Sequence, residues 1–144
     1  MELDRIVHHQ FVRVIYADTD KMGVVYNGTY FRFFEIGRTE LMRHYGLIYS
    51  ELEKYGYQLP LLEAHANYKN AARYDDYLDI ETTLNLNHIG PKVRFDYKIL
   101  NSDILISEGW TSHIFMKIAN QKAVKPPSVF MEKIEQLKHN LEIK

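Results

Sequence analysis

The chain has 144 residues, 46% of them apolar and 26% charged, with a formal net charge of -1. At roughly 100 to 200 residues per domain, this length predicts one domain over residues 1–144, and the composition belongs with globular proteins, away from disordered, collagen-like or membrane chains. Charge balance argues against nucleic acid as a partner, and the lack of cysteine removes disulfides, thiolate nucleophiles and cysteine-ligated zinc or iron-sulfur sites.

Met1 to Gln10 contains Glu2 and Asp4 and lacks a signal peptide's apolar stretch, and no run elsewhere approaches ~18 apolar residues. A cytoplasmic protein with no transmembrane segment is the expectation. Phe11 to Tyr16, rich in Val, Ile and aromatics, reads as a first strand, stopped by the turn series Asp18, Thr19, Asp20 and Gly23. A long helix is predicted over Gly28 to Tyr45, where Tyr30, Phe33, Phe34, Leu41, Met42 and Tyr45 recur at helical spacing, with Asn27 as N-cap and Gly46 as the stop. Gly37 falls inside that helix, where glycine costs roughly 1 kcal/mol relative to alanine. Either something must approach the helix closely there or the residue is simply tolerated. Ser50 to Tyr55 reads as a short second helix ending at Gly56.

Leu59 to Ala72 forms a less regular strand. The period then becomes alternating: Leu78, Ile80, Thr82, Leu84 and Leu86 share one face, His88 to Lys92 turns around Gly90 and Pro91, and Val93, Phe95, Tyr97 and Ile99 alternate on the return. Asn101 to Asp103 makes the next turn and Leu105 to Ile118 another long strand. Pro126 and Pro127 break the chain before a final helix, Ser128 to Leu141. Hairpin-linked strands make the sheet mainly antiparallel, so the fold class is α+β, with the sheet curled around the early apolar helix.

Several catalytic machineries are absent from the sequence: there is no Gly-x-Ser-x-Gly, no His-Glu-x-x-His, no Gly-x-Gly-x-x-Gly and no Walker loop. Asp18 to Gly23 superficially begins like an EF-hand loop, but Met22 and Thr29 stand at ligand positions five and twelve, so no metal is expected there. Both aspartates are also natural turn residues. Asp20, however, lies just before the N-terminus of the most apolar helix, where unpaired backbone N–H groups and the positive end of the helix dipole face any bound carbonyl. A carboxylate beside an oxyanion-binding helix end is a minimal hydrolase. It suits a thioester, whose thiolate leaves with a conjugate acid near the cysteine value of ~8.5 and needs little protonation. The backbone N–H of Asn27 or Gly28 is the candidate oxyanion donor.

The run Tyr16-Ala17-Asp18-Thr19-Asp20-Lys21-Met22-Gly23-Val24-Val25-Tyr26-Asn27-Gly28-Thr29-Tyr30, continuing to Phe34-Glu35 and Arg38, resembles the signature of the hotdog-fold acyl-CoA thioesterases, the 4-hydroxybenzoyl-CoA and Tol-Pal-associated group. Tyr74 to Thr82 resembles the same family's Tyr-Asp-Asp strand entry, and the resemblance spans about residues 10 to 130. It implies a five-stranded antiparallel sheet wrapped around the long helix, paired sheets in a homodimer or homotetramer, and active sites at the subunit interface. It further implies that Asp20 is the catalytic carboxylate, as general base or nucleophile, and that the Asn27 backbone N–H polarises the thioester carbonyl. Many relatives of the Tol-Pal type carry histidine where this chain has Asn27, which keeps the backbone role and drops the imidazole.

Substrate-binding candidates are Tyr26, Gly28, Tyr30 and Phe34, the last two reading first as core and second as acyl-pocket lining. Lys69, Arg73, Lys92 and Arg94 are candidates for the phosphates of coenzyme A, each equally explained as solvated surface. Asp18 reads as a backbone-bonding turn residue, Glu35 and Arg38 as a buried structural pair ahead of a substrate contact, and the Tyr74-Asp75-Asp76 corner as structural. His65, His88 and His113 lack metal-ligand spacing and receive no catalytic role. The reading is an enzyme with no cofactor that cleaves an acyl-CoA or acyl-carrier-protein thioester. The alternatives are a noncatalytic acyl-thioester-binding or scaffolding protein, or an acyl-thioester hydratase or dehydratase, which would need a His-containing site not evident in the chain.

Overall fold

The described residues, 4–143 of a computed structural model, form in chain order β1 (Arg5–Arg13), α1 (Thr29–His44), α2 (Tyr49–Lys54), β2 (Tyr57–Gln58), β3 (Leu61–Tyr68), β4 (Tyr77–Asn85), β5 (Lys92–Asn101), β6 (Ile104–Ile114), β7 (Met116–Lys117) and α3 (Ser128–Ile143). The alternating stretches behave as their spacing dictates: Leu78, Ile80, Thr82 and Leu84 of β4 and Val93, Phe95, Tyr97 and Ile99 of β5 are all buried, while their sequence neighbours face outward or are half-covered. Both strands lie inside a five-stranded antiparallel sheet of order β1-β4-β5-β6-β3, which leaves β1 and β3 as its edges.

Helix α1 lies on the apolar face of this sheet. Tyr30, Phe33, Phe34, Gly37, Leu41 and Met42, spaced three or four residues apart, form its buried stripe. Phe34 is fully buried and stacks on Tyr97 with ring centres 4.3 Å apart and planes within 8°, and a pair of this kind contributes about 0.5–1.5 kcal/mol beyond the area it buries. Close approach explains Gly37: a Cβ there would overlap the Thr82 hydroxyl and come within 2.7 Å of an Ile80 methyl carbon. Helix α3 closes the far end of the core with Phe130 and Ile134, Phe130 meeting Phe115 edge to face at 5.0 Å.

Four expectations need correction. The first strand runs Arg5–Arg13 instead of Phe11–Tyr16, because its partner β4 begins at Tyr77, opposite Arg13, and residues Tyr16–Asp18 wind into a single 3-10 turn. Gly28, not Asn27, occupies the N-cap position of α1, and no side chain caps the helix there. The irregular strand is confined to Leu61–Tyr68, with the short β2 before it. The last long strand stops at Ile114, after which Phe115 turns into the core and Met116–Lys117 pair with Tyr57–Gln58.

Candidate active site

The segment between Asp18 and Thr29 is a tight hairpin followed by the first turn of α1. Thr19 bridges Val25, the Asp20 N–H donates to the Val24 carbonyl at 2.9 Å, and the Gly23 N–H donates to the Asp20 carbonyl at 3.0 Å. This is a turn with Asp at its first position and Gly at its fourth, where φ is +80° and only glycine is unstrained. The Asp20 Oδ1 accepts the Met22 N–H at 2.8 Å, which orients the carboxylate through one of its two oxygens. The side chain is exposed.

Asp18 is its opposite. It is 4% exposed, accepts the Ile15 N–H at 2.9 Å and pairs with Arg32. Its backbone carbonyl receives the Tyr26 N–H at 2.9 Å, tying the hairpin to the start of the helix. The turn role expected of Asp18 is therefore what it performs, with every polar group engaged in the local fold.

At the helix start, the Tyr26 carbonyl accepts the Thr29 N–H at 2.9 Å and the Asn27 carbonyl accepts the Tyr30 N–H at 3.3 Å. The peptide group is planar and trans, so each engaged carbonyl turns the following N–H the opposite way. Among the described residues, the backbone N–H groups of Asn27 and Gly28 donate to no protein acceptor. Asn27 is part of the wall of a cleft of about 250 Å³, lined also by Val24, Val25, Tyr30, Tyr68, Lys69, Asn70 and Ala71, and Gly28 follows it in the chain. Burial pushes the Tyr30 hydroxyl up to about 12, against a smaller opposing contribution from its hydrogen bond with the Ala72 backbone, so Tyr30 stays protonated in this wall.

The sequence candidates divide accordingly. Asn27, Tyr30 and Lys69 come together in the cleft, and Gly28 and Tyr26 flank it, both exposed. Arg73 is exposed at the cleft's margin, its backbone bridged to Val24. Asp20 shares the hairpin with Val24 and Val25 but does not line the cleft of its own chain. Phe34 belongs to the core. Arg94 lies on the other face of the sheet, over the Trp110 ring at 4.7 Å and paired with Asp96 at 3.0 Å, because its neighbours Val93 and Phe95 take the inward positions. Lys92, on the same outward register, is exposed with it. The cleft residues that escaped the sequence reading are Tyr68, Asn70 and Ala71. They carry no motif, and only the passage of β3 beside the start of α1 makes them part of the wall.

Glu35 and Arg38 are not a buried pair. Glu35 is 68% exposed at 3.7 Å from Arg38, while Arg38 is only 17% exposed and turns toward the Tyr97 hydroxyl. That hydroxyl begins a buried chain: Tyr97 meets Thr111 at 2.6 Å, Thr111 meets His113 Nε2 at 2.9 Å, and His113 Nδ1 meets the Leu59 carbonyl at 3.3 Å. Burial, reinforced by the Arg38 charge, pushes His113 down to about 4 and leaves it neutral. The Nδ1 proton then goes to Leu59, Nε2 accepts from Thr111, and Thr111 accepts from Tyr97. His65 stacks on Trp110 at the outer face, and His88 is exposed. Among the described residues no three His, Cys, Asp or Glu side chains gather as a metal site, and no helix is long and apolar enough to cross a membrane.

A long apolar helix held in the curl of a five-stranded antiparallel sheet, with a cleft at the helix start, defines a hotdog domain. The chain belongs to the thioesterase-like superfamily, which it matches over residues 14–134. It is 34% identical over 121 residues to a protein of Aquifex aeolicus (strain VF5), covering 83% of this chain and 91% of that one. It is 35% identical over 92 residues to the acyl-CoA thioester hydrolase YbgC of Escherichia coli O157:H7, covering 64% of this chain and 68% of that protein. In structure it is similar to a DHNA-CoA thioesterase from Staphylococcus aureus, with a TM-score of 0.84, 26% identity, and coverage of 96% of this chain and 95% of that one.

Proposed function

We propose that this protein is an acyl-CoA thioesterase, hydrolysing the thioester to a carboxylate and a thiol. The observation that carries this reading is the pair of unengaged backbone N–H groups at Asn27 and Gly28 beside a cleft, within a chain of the thioesterase-like superfamily. An acyl carbonyl lodged against Asn27 would gain a hydrogen-bond donor whose value rises as negative charge develops on the oxygen, the condition for rate acceleration. Asp20 is the carboxylate, either attacking the carbonyl carbon or taking a proton from the water that does. Its turn hydrogen bond occupies Oδ1 and leaves the second oxygen for chemistry. Coenzyme A leaves as a thiolate of conjugate-acid pKa near ~8.5, so no strong general acid is required.

The active unit is a dimer. Edge strand β3 presents an eight-residue backbone with exposed or half-exposed side chains throughout, beside the same cleft, and an unpaired strand edge readily accepts another chain. Pairing there would wall the cleft with a second copy and bring a carboxylate to it that one chain does not supply.

The test is release of free thiol from a panel of short, long and aromatic acyl-CoA substrates, with acyl-carrier-protein thioesters alongside. Turnover of an acyl-CoA that falls at least ~10²-fold in Asp20→Asn, with binding retained, is the expected result. Binding without turnover across the panel would identify a scaffolding or binding protein instead.

A further inference from the structure

The Tyr68 hydroxyl, at the end of edge strand β3, donates a hydrogen bond of 3.1 Å to the Asn27 carbonyl. That carbonyl belongs to the same peptide group as the Gly28 N–H, one of the two unengaged donors at the helix start. Because the peptide is planar and trans, the direction of its C=O sets the direction of its N–H on the opposite side. The Tyr30 N–H reaches the same carbonyl oxygen at a longer 3.3 Å, so Tyr68 is the shorter of the two bonds that hold this peptide plane. The ring of Tyr68 is itself steadied against Tyr30, with centres 5.5 Å apart, and Tyr30 is anchored in the core at 3% exposure.

We infer that Tyr68 is a positioning residue for the oxyanion-binding turn: its hydroxyl locks the Asn27–Gly28 peptide and with it the direction of the Gly28 N–H, the second donor beside the Asn27 N–H. This rests on the thioesterase reading above. Such a role is needed here because, among the described residues, no other side chain bonds the Asn27–Gly28 peptide itself. No side chain caps α1, Asn27 and Gly28 are exposed, and the other side-chain bond at the helix start, from the Thr29 hydroxyl to the Asp18 carbonyl at 3.3 Å, does not touch the Asn27–Gly28 peptide. A donor group that must reorient during the reaction loses much of its advantage over water, so fixing it in advance is worth rate rather than affinity.

The experiment compares wild type, Tyr68→Phe, Tyr68→Leu and Asp20→Asn in steady-state thiol release, with the Asn27 carbonyl carbon and Gly28 amide signals read by NMR. Phe keeps the ring against Tyr30 and removes only the hydroxyl. Tyr68→Phe is expected to lower kcat about tenfold, the scale of one well-placed hydrogen bond, with KM within about twofold and the Asn27–Gly28 signals displaced. Tyr68→Leu should do no better. An unchanged kcat in Tyr68→Phe, beside a wild type that Asp20→Asn inactivates, overturns the inference and leaves the thioesterase reading standing. A rise in KM alone also overturns it, showing that the hydroxyl touches substrate instead. A wild type that releases no thiol from any substrate overturns the thioesterase reading first, and the inference with it.

Discussion

Gly37 faces Thr82 across the helix–sheet interface with no space for a methyl group between them. The Thr82 hydroxyl on the sheet side is buried and, among the described residues, without a hydrogen-bond partner. In isolation, Gly37→Ala would favour the helix by about 1 kcal/mol, but the overlap with Thr82 and Ile80 costs about 1–3 kcal/mol. Both contacts fall below 3 Å and sit on buried sheet side chains, so overlap outweighs helix preference and Gly37→Ala is expected to lower unfolding stability by up to about 2 kcal/mol in denaturant titrations. Combining it with Thr82→Ala should recover part of the loss, whereas strictly additive losses would show that the two positions do not share this contact. Thr82→Val alone, which exchanges an unpaired hydroxyl for a methyl of the same shape, should be neutral or stabilising.

Asp18 and Asp20, two residues apart, should respond in opposite ways. Asp18→Asn weakens a buried, charge-assisted bond to Ile15 and Arg32 and is expected to cost about 1–2 kcal/mol of stability, Arg32 being half-exposed and able to rehydrate. Asp20→Asn replaces an exposed group and should leave stability within about 0.5 kcal/mol while abolishing turnover. Thermal unfolding and thiol release measured on both variants check the pair, and a reversal of the pattern would exchange the roles of the two aspartates.

His113 makes the fold sensitive to mild acid. Its folded-state pKa is pushed from 6.5 to about 4, so between those values the unfolded chain binds a proton that the folded chain refuses. Stability from this group is fully present above pH 6.5 and lost as pH falls toward 4, by an amount of order 3 kcal/mol at about 1.4 kcal/mol per unit. His113→Gln should flatten the stability curve in that window relative to wild type. An unchanged slope would mean that His113 is not the titrating group.

Leu62 stands at an irregularity in the β3 register and is 46% exposed on the edge strand. Leu62→Arg places a charge where a second copy is proposed to pair, and should shift the molecular mass measured by light scattering from dimer to monomer, with loss of thiol release. A wild type that is monomeric at assay concentrations yet fully active would refute the dimeric site.

Much of the fold was legible because burying one face is a local demand. Period-two spacing from Leu78 to Ile99 and three-and-four spacing from Tyr30 to Met42 each name a face, and the structure buries those faces. The hairpin Asp20–Gly23 was equally local, its turn chemistry written in adjacent residues. Strand ends were less legible: β1 stops where its partner β4 begins, a property of two segments together.

The periodic core, the order of the main elements and a carboxylate before the long helix can all be read from the residues in order. Only the folded chain shows that Tyr68 reaches Asn27 from 41 positions away, that Arg38 reaches the Tyr97 hydroxyl as well as its neighbour Glu35, and that Arg94 lies on the face opposite the cleft. The physical reason is range. Periodicity and turn preference act over a few residues, whereas a wall shared by a helix start and a sheet edge exists only after the chain has brought distant segments within hydrogen-bonding distance.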